Sequence, residues 1–239
     1  MRFVSTAYRR YKSMNANIEV LDNKTHKDLQ VDFKEARKSA YKQRLIPVVV
    51  SEFHTLMFHY PIVFVKDGET GAFTCSLLLG VSGESSLLDG QDISNDDMLP
   101  LNVRRLPLVA IESSDAAGPV IGVNLDSPCV GKGEKLFESQ SEGLESAVAA
   151  LGELYRGYKE TDAFIKTVLE LGLITRLKAE IQFKGKPKTA LEGLYGIDTS
   201  KVLQITDGDD KDKFLSIANF AYAQSFSLFN MRKLTFLSS

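Results

Sequence analysis

The sequence predicts an α+β fold in which antiparallel hairpins come first and helices follow. Two dense apolar runs of strand length, residues 48–50 and 62–65, are rich in β-branched and aromatic side chains. From Leu144 onward the apolar residues recur at helical spacing, and residues 214–229 are strongly aromatic. We therefore expect a mainly antiparallel sheet built from hairpins, two middle helices and a packed C-terminal helix.

Length and composition are those of an ordinary globular protein. The chain has 239 residues, of which 44% are hydrophobic and 25% charged, and its net charge is −2. Nucleic-acid binders and electrostatically driven membrane binders usually carry a basic excess, so neither class is predicted. Apolar runs stay shorter than the roughly 18 residues that a membrane-spanning helix needs.

Cysteine usage and the N-terminus predict a cytoplasmic location. Cys75 and Cys129 lack a Cys-x-x-Cys spacing, so neither a disulfide framework nor a zinc site is expected. Residues 1–13 are basic and lack the apolar region of a signal peptide. We interpret them as a basic N-terminal tail that precedes a single domain over residues 14–239, with a domain split near residue 140 as the alternative.

Apolar segments separated by turn residues predict hairpins along the chain. Asp67-Gly68-Glu69 is typical of one such turn, and Asp126-Ser127-Pro128 is expected to end a later strand. His26 lies in the first turn, where it is either structural or a proton carrier. The predicted strand pairs are residues 18–21 with 29–31, 61–66 with 72–81, 108–111 with 120–125, and 175–183 with 190–197.

Short helices are expected around the central apolar runs, and longer ones near the C-terminus. Glu52 and His59 share one face of a short helix that Pro61 ends, because proline disfavours the α conformation of the residue before it. Thr161 is expected to cap the second middle helix, with a break between the two near residues 157–160. The final helix is expected to pack its aromatic face on the core, and residues 207–210 to form a solvated cap for it rather than a calcium loop.

Two adjacent arginines form the clearest polar feature of the apolar first half. Pro100 and Pro107 bracket Arg104 and Arg105, which predicts a loop or an edge because proline lacks an amide donor. Guanidinium groups bind carboxylates and phosphates in bidentate geometry. Alternatively, one arginine pairs internally with Glu52 or Asp126 and the other faces solvent.

An ordered series of short motifs resembles the bacterial SapC family over roughly residues 14–236. The motifs are Pro47, Glu52-Phe53, Tyr60-Pro61-Ile62-Val63-Phe64, Leu78-Leu79-Gly80, Pro100, Val103-Arg104-Arg105-x-Pro107, Asp126-Ser127-Pro128, Leu136-Phe137 and Asn230-Met231-Arg232-Lys233-Leu234. Proteins of this family take their name from a surface-layer gene region and are often associated with outer-membrane receptor systems. The resemblance implies an accessory protein that binds a peptide or protein partner. The sequence departs from the family's aromatic-rich pattern at Leu101, Asn102 and Leu106.

Seven residues are candidate contacts for that partner, and no catalytic residue is assigned. No phosphate-binding loop, nucleophile elbow or zinc-protease motif occurs, and no cofactor or metal is expected. The alternative is an enzyme that acts on a small anionic or peptide substrate in a polar pocket formed by Glu52, His59, Tyr60, Arg104 and Asp126. A self-assembling structural protein, and hence a homo-oligomer, also stays open. The candidate residues are Arg104, Arg105, Glu52, His59, Tyr60, Asp126 and His26.

Overall fold

A computed structural model describes residues 17–81, 86–89, 96–111, 118–138, 141–183, 185, 187–205 and 211–237. The predictions for the basic tail, for most of the turn between residues 111 and 120, and for the acidic segment 207–210 lie outside these residues. Within them the chain is α+β, as predicted. It divides into two compact units, Met1–Ala40 with Asp92–Arg156, and Tyr41–Gln91 with Gly157–Ser239. The domain boundary at residue 14 stays a prediction.

Both units contain helices and strands. The strands are β1 Ile18–Val20, β2 Gln30–Val31, β3 Leu45–Pro47, β4 Ile62–Lys66, β5 Phe73–Leu78, β6 Leu108–Ile111, β7 Val120–Asn124, β8 Glu134–Lys135, β9 Ile174–Arg176, β10 Ala179–Ile181, β11 Thr189–Leu191 and β12 Leu194–Ile197. The α-helices are α1 Phe33–Lys38, α2 Phe53–Leu56, α3 Leu101–Arg104, α4 Glu142–Glu170, α5 Thr199–Val202 and α6 Lys211–Ser227. Helices of the 3₁₀ type cover Ser39–Lys42, Val50–Glu52, Asp96–Met98 and Leu228–Phe236.

The first unit contains a three-stranded antiparallel sheet in the order β1-β7-β6 and a small β2-β8 pair. The predicted β6-β7 hairpin is confirmed, with Leu108 opposite Val123. The predicted pairing of residues 18–21 with residues 29–31 was wrong, because β1 pairs with β7 and β2 pairs with β8. Asp32 caps α1 by accepting a hydrogen bond from the Glu35 backbone N–H, which places Phe33 in the core of this unit.

The second unit contains a five-stranded sheet in the order β3-β5-β4-β12-β9. The predicted β4-β5 hairpin is confirmed, and Asp67 closes its turn by accepting hydrogen bonds from the backbone N–H groups of Glu69 and Thr70. The predicted strand over residues 175–183 is divided into β9 and β10, which pair with β12 and β11 respectively. Helix α6 is fixed to this sheet by the fully buried Gln224, which accepts from Ile197 N and donates to Ile62 O.

Helix α4 is continuous over 29 residues, so the prediction of two middle helices was wrong. Gly157 does not break the helix. A Cβ atom at this position would lie 2.7 Å from a Val49 methyl carbon, so glycine permits close packing of the helix. Thr161 is not a cap; its hydroxyl donates to Gly157 O and accepts from the Val50 backbone N–H. Gly172 lies just past the helix end with a positive φ of 64°, a conformation that glycine commonly supplies at a helix C-terminus.

The C-terminal helix was predicted at residues 214–229 and is observed as α6 followed by the 3₁₀ helix Leu228–Phe236. One face packs as expected, with Ile217, Ala218 and Ala221 buried. The expectation that Phe226 and Phe229 also pack on the core was wrong, since they are 67% and 70% exposed.

Candidate binding cleft

A cleft of about 210 Å³ lies in the first unit, beside the ends of β6 and β7. Its walls come from the end of α1, the turn between α3 and β6, and the turn after β7. It therefore gathers residues that are far apart in sequence. The lining residues are Ser39, Arg105, Leu106, Pro107, Val109, Asn124, Asp126, Ser127 and Pro128.

Arg105 forms a buried wall of the cleft and is 5% exposed. Its Nε donates to Asn102 Oδ1 at 2.9 Å, and its Nη1 donates to Leu108 O at 2.7 Å. These charge-assisted bonds join the end of α3 to the start of β6. Arg105 consequently gives the cleft a fixed positive charge and also stabilises the turn around it.

Asp126 places an exposed carboxylate at the same cleft. It follows β7, as predicted, in a turn where its backbone N–H donates to Asn124 Oδ1 at 3.1 Å. Its Oδ2 accepts from the Asn17 backbone N–H at 2.7 Å. Of the seven predicted contact residues, Arg105 and Asp126 are thus brought to one site, where they carry opposite charges.

Three polar lining residues, Ser39, Asn124 and Ser127, were missed by the sequence reasoning. Asn124 is the last residue of β7, and Ser127 follows Asp126 directly. Their closeness in sequence to Asp126 was the signal that could have identified them as lining residues. Ser127 Oγ lies 3.0 Å from the Sγ of the buried Cys129. Burial raises the pKa of the Cys129 thiol more than that hydrogen bond lowers it, so the thiol stays protonated at neutral pH.

Arg104 does not line the cleft and instead forms an ion pair with Asp96, with 3.4 Å between Nε and Oδ2. Asp96 Oδ1 also lies 2.9 Å from Arg37 Nη2, and the Ser146 hydroxyl donates to Asp96 Oδ2. The expectation that one arginine pairs with Glu52 or Asp126 while the other faces solvent was wrong. Arg104 pairs with Asp96 because a 3₁₀ turn just before α3 brings that carboxylate to it.

His26 is a buried turn residue, 7% exposed. Its Nδ1 accepts from the Asp22 backbone N–H at 3.2 Å, and its Nε2 lies 3.4 Å from Glu19 Oε2. Backbone N–H groups of Thr25 and Lys24 lower the pKa of the Asp22 carboxyl, which stays ionised and closes the turn. The imidazole therefore helps to close this turn through Nδ1 and lies against Glu19 of β1.

Glu52, His59 and Tyr60 belong to the second unit. Glu52 Oε2 accepts from the Val49 backbone N–H at 2.9 Å, which caps the short helical segment. Tyr60 is fully buried, and burial raises the pKa of its phenol well above the usual value. Burial, with a contribution from Lys233, lowers the pKa of His59, whose ring centroid lies 6.1 Å from that of Tyr60.

Comparison with protein families gives a match to SapC over residues 21–234. The chain belongs to the SapC family. The match includes every segment that lines the cleft, so the cleft is formed by the SapC region itself. Comparisons with curated proteins and with solved structures give no match.

Two further features bear on what this SapC-family chain can bind. Among the described residues, His, Cys, Asp and Glu nowhere form a group of three that could hold a metal ion. In the same part of the chain, each helix is too short or too polar to cross a membrane. The cleft's own polar groups are the side chains of Ser39, Arg105, Asn124, Asp126 and Ser127.

Proposed function

We propose that this SapC-family chain is a non-catalytic binding or accessory protein whose cleft recognises a peptide or protein partner. One observation carries the proposal: Arg105 and Asp126, on sequence-distant turns, place opposite charges at the same cleft. The resemblance behind the prediction links the partner to cell-surface or outer-membrane receptor systems. A cytoplasmic location is part of the proposal, supported by the unpaired thiols of Cys75 and Cys129.

The size of the cleft favours part of a larger partner over a complete small molecule. Pockets for drug-sized ligands usually measure about 300–1,000 Å³, whereas this cleft measures about 210 Å³. That volume accommodates one side chain or a short backbone stretch, while the rest of the partner lies against the surrounding surface. A protruding loop or an extended terminus has this form.

The charges of the cleft suit a peptide group. An extended peptide presents carbonyl acceptors and amide donors at alternating positions. Asp126 accepts from an amide or ammonium group, and the positive charge of Arg105 favours a carbonyl or carboxylate oxygen beside it. The hydroxyl groups of Ser39 and Ser127 can donate or accept, so they adapt to either polarity.

Two residues of the enzyme alternative have structural roles that support a non-catalytic function. Glu52 caps a helical segment, and Arg104 belongs to the Asp96 ion-pair network. The raised pKa of Tyr60 holds its phenol protonated, which disfavours a role as general base.

The proposal is tested by affinity capture from native bacterial lysate with Asp126→Asn as the probe variant. The carboxamide keeps an oxygen acceptor for the Asn17 N–H but removes the charge, so the fold is preserved. Asp28→Asn is the matched control, because Asp28 is 79% exposed in the same unit and does not line the cleft.

We expect wild type and Asp28→Asn to recover the same protein, and Asp126→Asn to recover at least ten times less. Equal recovery by all three versions would show that the partner does not use the cleft. Turnover of a small molecule by the wild type that is abolished in Asp126→Asn would instead favour the enzyme alternative.

A further inference from the structure

A second surface, in the other unit, consists of an exposed row of apolar and aromatic side chains along the C-terminal helices. We define the aromatic stripe as Leu215, Tyr222, Phe226, Phe229 and Arg232. Spacings of three, four and seven residues place them on one face of α6 and of the 3₁₀ helix that follows. Leu215 is 53% exposed and the two phenylalanines about two-thirds exposed.

The opposite face of these helices fixes the orientation of the stripe. Asn230 Nδ2 donates to Met57 O at 2.7 Å, and Lys233 Nζ donates to His59 O at 3.1 Å. Gln224 holds α6 to two strands of the sheet, as described above. Rotating the helices to bury the phenylalanines would break these bonds, so the stripe stays on the surface.

The stripe is also cationic. The Arg232 guanidinium lies 4.3 Å from the ring centroid of Phe229, which is cation–π geometry. Residues 214–239 contain no Asp or Glu, so this segment supplies no carboxylate to offset the charge of Arg232.

We infer that the aromatic stripe binds an apolar, acidic segment of a protein partner. Phe226 and Phe229 supply rigid aromatic anchors of the kind that dominate interface energetics. Arg232, already oriented over Phe229, provides a bidentate donor for an Asp or Glu side chain. A segment in which leucines alternate or pair with Asp or Glu residues complements both the aromatic rings and the positive charge of the stripe.

Two other occupants fit less well. Recognition of anionic membranes typically uses clusters of four to eight basic residues, whereas the basic residue of the stripe is Arg232. In a twofold dimer that packs the two stripes in parallel, the arginines would approach each other without an acidic residue of segment 214–239 to separate them. The inference does not depend on the proposed cleft, which lies in the other unit.

The test uses the full chain and a fluorescein-labelled, 16-residue amphipathic peptide of Glu and Leu, followed by fluorescence anisotropy. A second peptide has every Glu replaced by Gln. The variants are Phe226→Ala, Phe229→Ala and Arg232→Gln. Tyr155→Ala is the matched control, because Tyr155 is 57% exposed on α4 and lies outside the stripe.

We expect each phenylalanine variant to weaken binding of the acidic peptide by about tenfold or more and Tyr155→Ala to leave it unchanged. Arg232→Gln should weaken the acidic peptide but not the Gln peptide, and should reduce the salt dependence of binding. Circular dichroism establishes that each variant is folded.

The inference is overturned if the wild type does not bind the acidic peptide, or if Phe226→Ala and Phe229→Ala each bind it as well as the wild type does. Phenylalanine-dependent binding to vesicles containing phosphatidylserine, without peptide binding, would assign the stripe to membranes. Phenylalanine-dependent dimerisation in sedimentation experiments, without peptide binding, would assign it to a second copy of the chain.

Discussion

Replacing Arg105 with methionine tests whether the wall of the cleft depends on the buried guanidinium. Methionine preserves much of the apolar volume but none of the donors. The variant loses the bonds from Nε to Asn102 Oδ1 and from Nη1 to Leu108 O. Both acceptor residues are buried, so water does not replace the lost donors.

The expected cost is about 3–5 kcal/mol in the free energy of unfolding. Hydrogen bonds to charged groups contribute about 1.5–3 kcal/mol each, and an orphaned buried acceptor adds to the loss. The adjacent Arg104 supplies a matched control. Arg104→Met removes one ion pair whose carboxylate keeps Arg37 as a partner, so about 1 kcal/mol is expected.

Urea unfolding followed by circular dichroism measures both variants against wild type. The midpoint should fall much further for Arg105→Met than for Arg104→Met, with unchanged slopes. If both arginine variants lose the same stability, or if Arg105→Met loses none, the structural role assigned to Arg105 is wrong.

Three further predictions concern the second unit. Gly157→Ala should destabilise by about 1–3 kcal/mol in urea unfolding because its Cβ would overlap Val49. Gln224→Met should cost about 2–4 kcal/mol in the same assay, since it leaves the Ile197 N–H of β12 without its acceptor and the Ile62 carbonyl of β4 with the 3.5 Å bond from Ser227 Oγ. Burial and Lys233 lower the pKa of His59 in the folded protein, so as the pH falls below 6.5 the His59 side chain is protonated in the unfolded chain before it is protonated in the folded one. The free energy of unfolding should therefore decline in this pH range, and it should decline less in His59→Gln.

Each of these predictions has a control. Gly152→Ala, in the same helix but with only a side-chain nitrogen 3.7 Å from the new Cβ, should be neutral or stabilising. His54→Gln removes an exposed imidazole and should retain the pH dependence that His59 provides. Gln224→Glu keeps an acceptor but buries a charge, so it should be no more stable than Gln224→Met at neutral pH. Equal losses for both glycine variants, or pH profiles that do not distinguish the two histidine variants, would contradict the reasoning.

The sequence predicted the fold class and the local hairpins because their signals are local. Asp67 and its neighbours specify the turn between β4 and β5. Within a strand, successive side chains point to opposite faces of the sheet, so the residue pattern specifies which face is buried. Pairing between distant strands carries no such signal. Nothing in residues 18–20 identifies residues 122–124 as their partner, so the β1-β7 pair was missed.

The predicted break in α4 near residues 157–160 was wrong for a related reason. Gly157 has low helix propensity, and from sequence it is typical of a break. In the structure the missing side chain of Gly157 allows Val49 to pack closely against α4. The two residues are more than a hundred positions apart in sequence. Tertiary packing therefore overrides local propensity at this position.

The candidate site was only partly predictable from sequence. The doublet of Arg104 and Arg105 was visible, but the sequence does not show that one side chain lines a cleft while the other turns to Asp96. Asp126 was recognised as a turn residue, and its position beside Arg105 depends on the pairing of β6 with β7. The exposure of Phe229 was also missed, because amphipathic patterns do not distinguish a core from a docking surface.

Site-specific crosslinking in cells tests the central claim, that a protein partner occupies the cleft, most directly. A photoreactive p-benzoylphenylalanine replaces the exposed Pro128 on the cleft's rim, and the control carries it at Asp28. We expect one defined protein adduct from position 128, none from position 28, and a several-fold weaker adduct when Asp126→Asn is added. Equal labelling from both positions, or an adduct that is indifferent to Asp126→Asn, would contradict it.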